Sequence, residues 1–498
     1  MKYILASVVT VVLVASAQLG FSTNSTWEKK LAVQLRNVAS PTDVIVVLKE
    51  KADLTRAFQM RSKKLKGAFV VDSLRTVAQR SQSQLIDLLQ SRNVQLQSFY
   101  IVNAIAIKSA TPALIEELAK RDDVSKVVGD PVIRQKEVGT RLRAAASVHR
   151  GVGANITSTG AEAVWAMGIK GGDIVVAGQD TGVDWDHPAL INHYRGTTLD
   201  NGRRGVSHEG NWHDSIHATI SNTNNPCGLN ISAPCDDHGH GTHTVGTIVG
   251  NDGGDNIIGM APEAKWIACR NMDNGFGKPS TYIECYEWFI APYDQNSTAQ
   301  TGDAALAPHV INNSWGCPSS EGCTGAEIKP VLEALYAAGI MNVVSAGNEG
   351  PGCSSIADQP ASISDYSFSV GAHNHRNNAI AGFSSRGPSA LDGKIGPDIT
   401  APGVSIRSSV PGGSYEEAFW SGTSMAGPHV AGAVALLWSA QPKLVGDIDR
   451  TIQILRSTAV PTVSSQTCGG VAGTAIPNNT FGYGLLNIEA AVKKALNL

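Results

Sequence analysis

No cysteine precedes Cys227 in this 498-residue chain, and only four of its 51 glycines (Gly20, Gly67, Gly129 and Gly139) lie before residue 151. The first 150 residues also offer few acid or base groups at meaningful spacing, so they read as a binding module and not as a catalytic unit. Charge is scarce, 17% of residues against 42% hydrophobic, which rules out wholesale disorder and leaves material for a sizeable core. No apolar run reaches 18 residues, too short for a comfortable bilayer span. The formal net charge is only −3, and no nucleic-acid partner is expected.

That small net charge conceals an asymmetry. Residues 1–150 hold 23 Lys and Arg against 12 Asp and Glu, whereas residues 151–498 hold 17 against 31, so the two parts carry +11 and −14. Charge, glycine and cysteine thus all divide near residue 151, and the chain is at least two unlike pieces.

The first piece opens with a processing signal. Lys2 precedes an apolar run over 3–14, and Ala15-Ser16-Ala17 supplies the small residues a signal peptidase needs before Gln18. Residues 1–17 are therefore expected to direct export, with a secreted product and no membrane attachment once the signal is removed. Export sets an oxidising context in which the eight cysteines are read as disulfide partners. About 105 pairings are open, and the close-spaced Cys317 and Cys323 are the first expected pair. Sequons at Asn155, Asn230, Asn296 and Asn478 agree with secretion and are candidate glycan sites.

Residues 18–150 continue with alternating patterns. An apolar run over 44–48 reads as a strand, and Ser73 is a candidate cap for a helix whose Leu74, Val77, Leu85, Leu88 and Leu89 share a face. Strands over 99–102 and 105–107, a helix over 112–121 and a strand over 124–128 complete a β-α-β-β-α-β order. That is the split ferredoxin-like motif, with its core at about 41–134.

The glycine-rich piece, 151–498, alternates short apolar strands with helices, which points to a parallel sheet covered on both faces. The strands over 173–180, 265–268, 309–313 and 342–345 end near polar or glycine residues, and ligands of such sheets bind beyond the carboxyl ends of the strands. Four residues there carry chemistry. Ser424, in Gly422-Thr423-Ser424-Met425-Ala426-Gly427, precedes a buried helical run over 430–438, so it would stand where backbone dipoles favour developing negative charge. A serine nucleophile needs a base and an orienting carboxylate; His240 and Asp180 are the candidates. Asn348 leaves an amide at a strand end, able to donate to an oxyanion. Residues 236–243 also hold His238, His240, His243, Asp236 and Asp237, which leaves a metal site open, although the helical two-histidine-plus-glutamate spacing of zinc proteases is missing.

These residues carry a resemblance. Asp180-Thr181-Gly182, His240-Gly241-Thr242-His243, Asn312-Asn313-Ser314-Trp315-Gly316, Ser345-Ala346-Gly347-Asn348 and Gly422-Thr423-Ser424-Met425-Ala426-Gly427-Pro428-His429-Val430 stand in the order found in the subtilases, the subtilisin-like serine proteases. The extended strings 180–190 and 310–316 look closest to the bacillopeptidase F branch. The resemblance implies an α/β, doubly wound parallel-sheet subtilisin-like catalytic domain over 151–498, preceded by a small α+β ferredoxin-like inhibitory prodomain. It implies a secreted serine endopeptidase, made as a self-processing zymogen, acting through Asp180, His240 and Ser424 with Asn348 as oxyanion donor. Ser314, Trp315 and Gly316, with Ser345, Ala346 and Gly347, would line the substrate cleft, with Asp358, shortly before Pro360, as a candidate floor for the primary specificity pocket favouring Arg or Lys. His238, His243 and His429 would be structural.

Catalysis in this reading needs no cofactor. Asp252, Asp255 and Asn256 are candidate ligands for a structural calcium, which subtilases often bind. Partners would be protein or peptide substrates and the chain's own prosegment, drawn to the acidic part by opposite charge and cut away somewhere between Gln135 and Asn155; a monomer is expected. The resemblance departs over 201–236, a long stretch rich in His, Asn and Ser, which leaves the substrate rim open. An inactive binding module of the same fold would need a broken site, and here every catalytic position is filled.

Overall fold

The computed structural model describes residues 27–136, 151–200, 203–221, 225–417 and 420–498. The expected signal, residues 1–17, and the basic stretch 141–150 lie outside the described residues. The N-terminal unit has the anticipated order: β1 (Thr42–Leu48), α1 (Lys63–Ser91), β2 (Leu96–Phe99), β3 (Ala104–Ala110), α2 (Pro112–Lys120) and β4 (Val124–Gly129). Its four strands form one antiparallel sheet in the order β2-β3-β1-β4. Val44, Ile45 and Val46 of the central strand are wholly buried because helices and the rest of the chain cover both faces.

Two expectations are corrected here. α1 begins at Lys63 and not at Ser73: the Ser62 side chain accepts from Leu65 N, while the Ser73 hydroxyl donates to Phe69 O at 2.7 Å inside the helix. A serine bonded back to the carbonyl one turn earlier no longer caps anything. The strand anticipated over 99–102 stops at Phe99, because the Tyr100 and Ile101 amides turn away from the sheet to the carboxylate of Glu287 at 2.5 and 2.9 Å. After β4 a short strand, β5 (Ile133–Arg134), runs out over the second unit.

The second unit is built on seven strands: β6 (Val175–Asp180), β7 (Trp212–Asp214), β8 (Lys265–Arg270), β10 (Val310–Asn313), β11 (Met341–Ser345), β12 (Phe368–His373) and β13 (Ile399–Pro402). They lie in the order β7-β8-β6-β10-β11-β12-β13, and every neighbouring pair is parallel. Such strands are buried on both faces, and hence their uninterrupted apolar runs. The short β9 (Phe276–Gly277) stands outside this sheet and pairs antiparallel with β5. Helices α3 (His240–Val249) and α5 (Thr423–Ala440) pack on one face, and α4 (Pro279–Ile290) on the other. α5 is longer than its apolar stretch suggested and is buried all round from Thr423 to Trp438, as a helix without a polar face must be.

The apolar core on the α4 side does not stop at the join between the units. Val70, Phe99, Tyr100 and Ile101 belong to the same buried cluster as Tyr282, Trp288, Phe289 and Ile311. The compositional boundary near residue 151 is therefore not a boundary in packing. Four disulfides use all eight cysteines: Cys227–Cys235, Cys269–Cys285, Cys353–Cys468, and the expected Cys317–Cys323. Among the described residues no helix is long and apolar enough to cross a membrane.

The sequons divide by burial. Asn230 and Asn296 are exposed. Asn155 and Asn478 are buried, their side-chain amides donating to His429 and to Thr462 O and Ala475 O, so neither is accessible for a glycan in this fold.

Candidate active site

The parallel sheet explains where the chemistry collects. Asp180 closes β6, Ser314 follows β10, Ser345 closes β11 and leads to Asn348, and all lie at the carboxyl ends of their strands. His240 opens α3, and Ser424 sits in the first turn of α5 just after Gly422.

His240 Nδ1 lies 2.8 and 2.9 Å from the two oxygens of Asp180, and both side chains are nearly inaccessible. The Thr181 amide also donates to Asp180, at 2.8 Å, which holds the carboxylate in place. With Nδ1 donating to Asp180, Nε2 is left as an acceptor, and the side-chain amide of Gln135, 2.9 Å away, is its donor. The same amide donates to Ser314 O at 3.1 Å. The ring is thus oriented from one side by a carboxylate and covered on the other by a residue of the N-terminal unit.

The turn carrying His240 is organised by Asp236. Its Oδ1 accepts from the amides of His238 and Gly239 and from the Thr181 hydroxyl, and its Oδ2 from Thr242 N and Oγ1. The backbones carrying the carboxylate and the histidine are in van der Waals contact. A Cβ on Gly182, whose φ is +111°, would fall 1.8 Å from Cys235 O, and one on Gly241 2.0 Å from Gly182 O. Only glycine permits that approach.

Ser424 Oγ donates to Ser314 O at 3.2 Å, while the Ser314 hydroxyl donates to Ser424 O at 3.1 Å, tying the first turn of α5 to the end of β10. The Oδ1 of Asn348 accepts from the amide and hydroxyl of Thr423 at 2.9 and 3.0 Å. Those bonds assign the orientation of the amide and leave its NH2 on the side of the cleft it lines.

That cleft has a volume of about 210 Å³ and borders Ser424, Asn348, Ser314, Trp315, Gly316, Ser345, Gly347 and Asp358. Trp315 forms a buried wall, stacked on Tyr282 with ring centroids 4.0 Å apart. Ala346 alone of the anticipated cleft residues turns away. Its methyl packs with Val344, Ile356 and Ala361, and its amide is spent on Val370 O. Asp358 is half-buried, and burial, helped by Glu349 and Glu321, pushes its carboxyl up to about 6.

The chain also matches known proteins. Residues 171–484 fit the model of the subtilase family of peptidases. The chain belongs to the subtilase family. With the family goes the class of serine endopeptidase. This subtilase is 36% identical over 479 residues to bacillopeptidase F of Bacillus subtilis; the match takes in 92% of the chain but only 31% of that longer protein. It is 31% identical to subtilisin E of the same organism over 85% of the chain and 90% of the relative, and 32% identical to a subtilisin of Bacillus pumilus over 68% and 98%.

Two of the remaining histidines of this subtilase have structural partners. His243 stacks on Trp420 and bonds Ile406 O, and His429 lies between Met425 O and Asn155, with burial lowering its pKa to about 3. Among the described residues no three His, Cys, Asp or Glu stand close enough to hold an ion. At the loop considered for calcium, Asp252 gives Oδ1 to the amides of Gly254 and Asn256 and Oδ2 to Asn256 Nδ2 and Tyr415, the geometry of a turn.

Sequence reasoning misses three groups. Asp236 reads in the sequence only as a metal ligand, yet it caps the turn that presents His240. Glu349, adjacent to Asn348, stands in plain view beside a motif, and nothing in the pattern marks it. Gln135 lies in an unremarkable basic stretch, and only its position across the cleft gives it meaning.

Proposed function

We propose that the chain is a secreted serine endopeptidase made as an autoinhibited zymogen. Ser424 is the nucleophile, His240 the general base and then acid, Asp180 the group that orients and charge-stabilises the imidazole, and Asn348 the oxyanion donor. The reading rests above all on one observation, the His240 imidazole held at 2.8 Å by Asp180 beside a cleft that Ser424 and Asn348 line together.

His240, protonated at Nδ1, accepts the Ser424 proton at Nε2 as the oxygen attacks the scissile carbonyl. Negative charge on the former carbonyl oxygen meets the Asn348 NH2 and the amino-terminal end of α5. His240 then protonates the leaving amine, and water releases the acyl group by the reverse proton path. No cofactor enters these steps. The prosegment, residues 18–150 with its core at about 41–134, acts as the inhibitor, a role supported by the Gln135 amide on His240 Nε2 and by β5 pairing with β9. Ser424→Ala removes one hydroxyl and leaves the fold; the variant is expected to accumulate uncut and to hydrolyse no peptide. Normal maturation and turnover in that variant would overturn the assignment.

A further inference from the structure

The residue after Gln135 enters the cleft as well. β5 pairs Arg134 with Phe276 and Ile133 with Gly277, and the Gln135 amide donates to Gly275 O at 2.8 Å, so this segment crosses the site as an extended strand. Ile133 is buried in the core cluster that holds Tyr282 and Trp315, Arg134 points out, and Gln135 faces His240. The alternation of an extended chain then delivers the next side chain to the opposite wall. There the Lys136 ammonium stands 3.2 Å from Glu349 Oε1.

The wall that Lys136 meets is acidic. Glu321, Glu349 and Asp358 border the cleft from three separate loops, and among the described residues the only basic side chains lining it are Arg134 and Lys136 of the N-terminal unit itself. Asp358 is the innermost, its carboxyl packed so closely on Gly316 that a Cβ there would lie 3.1 Å from both Asp358 Cβ and Oδ2. Glu349 has Oε2 held by the Ser385 hydroxyl at 3.1 Å, which leaves Oε1 for the cation. An independent feature also marks the pocket as built for a polar guest. The Ser345 hydroxyl, on a residue only 7% exposed, lines the cleft and has no partner among the described residues. Glu321 is exposed while Glu349 and Asp358 are partly buried; carboxylates facing one cleft repel one another, and a single ammonium or guanidinium relieves that repulsion.

We propose that Glu321, Glu349 and Asp358 form a pocket selecting lysine or arginine on the acyl side of the cut bond, and that Lys136, paired with Glu349 at its rim with the lysine side chain 66% exposed, is the residue presented to it, so that the first self-cleavage falls between Lys136 and Glu137. The inference rests on the protease reading. In that step the Ser424 oxygen bonds the Lys136 carbonyl carbon, the bond to the Glu137 nitrogen breaks, and that nitrogen leaves with the proton His240 carries. Water then frees the Lys136 carboxylate and restores the serine.

Two measurements test it on the full chain. The intact mass of the released N-terminal fragment at the earliest time of processing is expected to end at Lys136 in wild type; a first fragment ending elsewhere overturns the assigned bond. On peptides matched except for the residue before the cut, wild type is expected to favour Arg or Lys over Phe or Leu by about 10²-fold in kcat/KM, and Asp358→Asn and Glu349→Gln each to reduce that ratio about tenfold. Equal cleavage after Phe and Arg in wild type, or a ratio unmoved in both variants, overturns the pocket while leaving the protease reading intact. Failure of wild type to cut any peptide or to react with a serine-directed phosphonate would instead sink the protease reading. Because Glu349 reaches the pocket from a different loop, a folding failure of Asp358→Asn leaves the test in force.

Discussion

Docking of the N-terminal unit offers a sharp test at Glu287, far from the chemistry. In the docked form its carboxylate accepts the amides of Tyr100 and Ile101, two residues that are each 1% exposed. Glu287→Ala removes the acceptor and leaves both buried N–H groups unpaired, at about 1–3 kcal/mol each. Against that stands the cost of burying the acid, visible in its pKa, which burial and then Glu284 push up to about 8 although the two amide bonds pull it down. Offsetting these terms leaves a net loss of about 3 kcal/mol, or about 10²-fold in inhibition constant. The assay is inhibition of mature enzyme by separately supplied residues 18–136. Since the substitution lies in the enzyme, any cost of folding the fragment cancels between variants. Peptide hydrolysis in the fragment's absence serves as the catalytic control. Glu287→Gln retains a carbonyl acceptor and should stay within severalfold of wild type.

The pH dependence adds a signed check. In the docked form this carboxyl is raised from its ordinary value near 4.5 to about 8, so the part of that burial which docking supplies contributes stability that is fully present below the ordinary value and is lost as pH rises through about 8. Wild-type inhibition should therefore weaken toward alkaline pH more than that of Glu287→Gln. If Glu287→Ala is inhibited within about threefold of wild type, the reasoning about orphaned amides fails.

Two further outcomes are expected. Asn348→Leu should fold, mature slowly and lose about 10²–10³ in turnover with little change in KM, a magnitude that belongs to the oxyanion-hole asparagine of subtilisin itself and is carried over to this relative; undiminished turnover in steady-state assays would remove Asn348 from the oxyanion site. The preference for Arg over Phe should fall as pH drops through about 6, because Asp358, which faces Glu349, Glu321 and Lys136 in the uncut chain, becomes neutral there. Taking the ratio of kcat/KM for two substrates at each pH cancels the titration of His240, and a flat ratio would refute the role of Asp358.

Much of the site is legible in the sequence because its chemistry needs particular residue types beside particular turns. Asp180, His240, Asn348 and Ser424 each lie within two residues of a glycine at a strand end or helix start, where an open backbone exposes a side chain, and the parallel sheet brings such ends together whatever the loops between them. The strand and helix order of both units is equally readable from apolar periodicity. The errors are local: Ser73 looks the same in a helix interior as at a cap until its hydroxyl finds a carbonyl, and 99–102 looks like strand until Glu287 captures two of its amides.

Charge is legible only as a sum. Among the described residues the +11 and −14 segments meet through few matched pairs: Lys136 pairs with Glu349, but Lys63, Lys66 and Arg75 reach backbone carbonyls, and Lys278 of the acidic part pairs with Asp43 of the basic one. Apolar burial and the Glu287 carboxylate join the two units. The sequence by itself determined the family, the order of elements and the identity of the groups able to react, since these depend on residue type and short-range spacing. Only the tertiary structure decided that Asn155 and Asn478 are inaccessible, that Ala346 faces the core, that Gln135 covers His240, and that Glu321, Glu349 and Asp358 line one cleft with Lys136. Each of those facts joins residues distant in the chain, and no local pattern encodes a distance that folding alone closes.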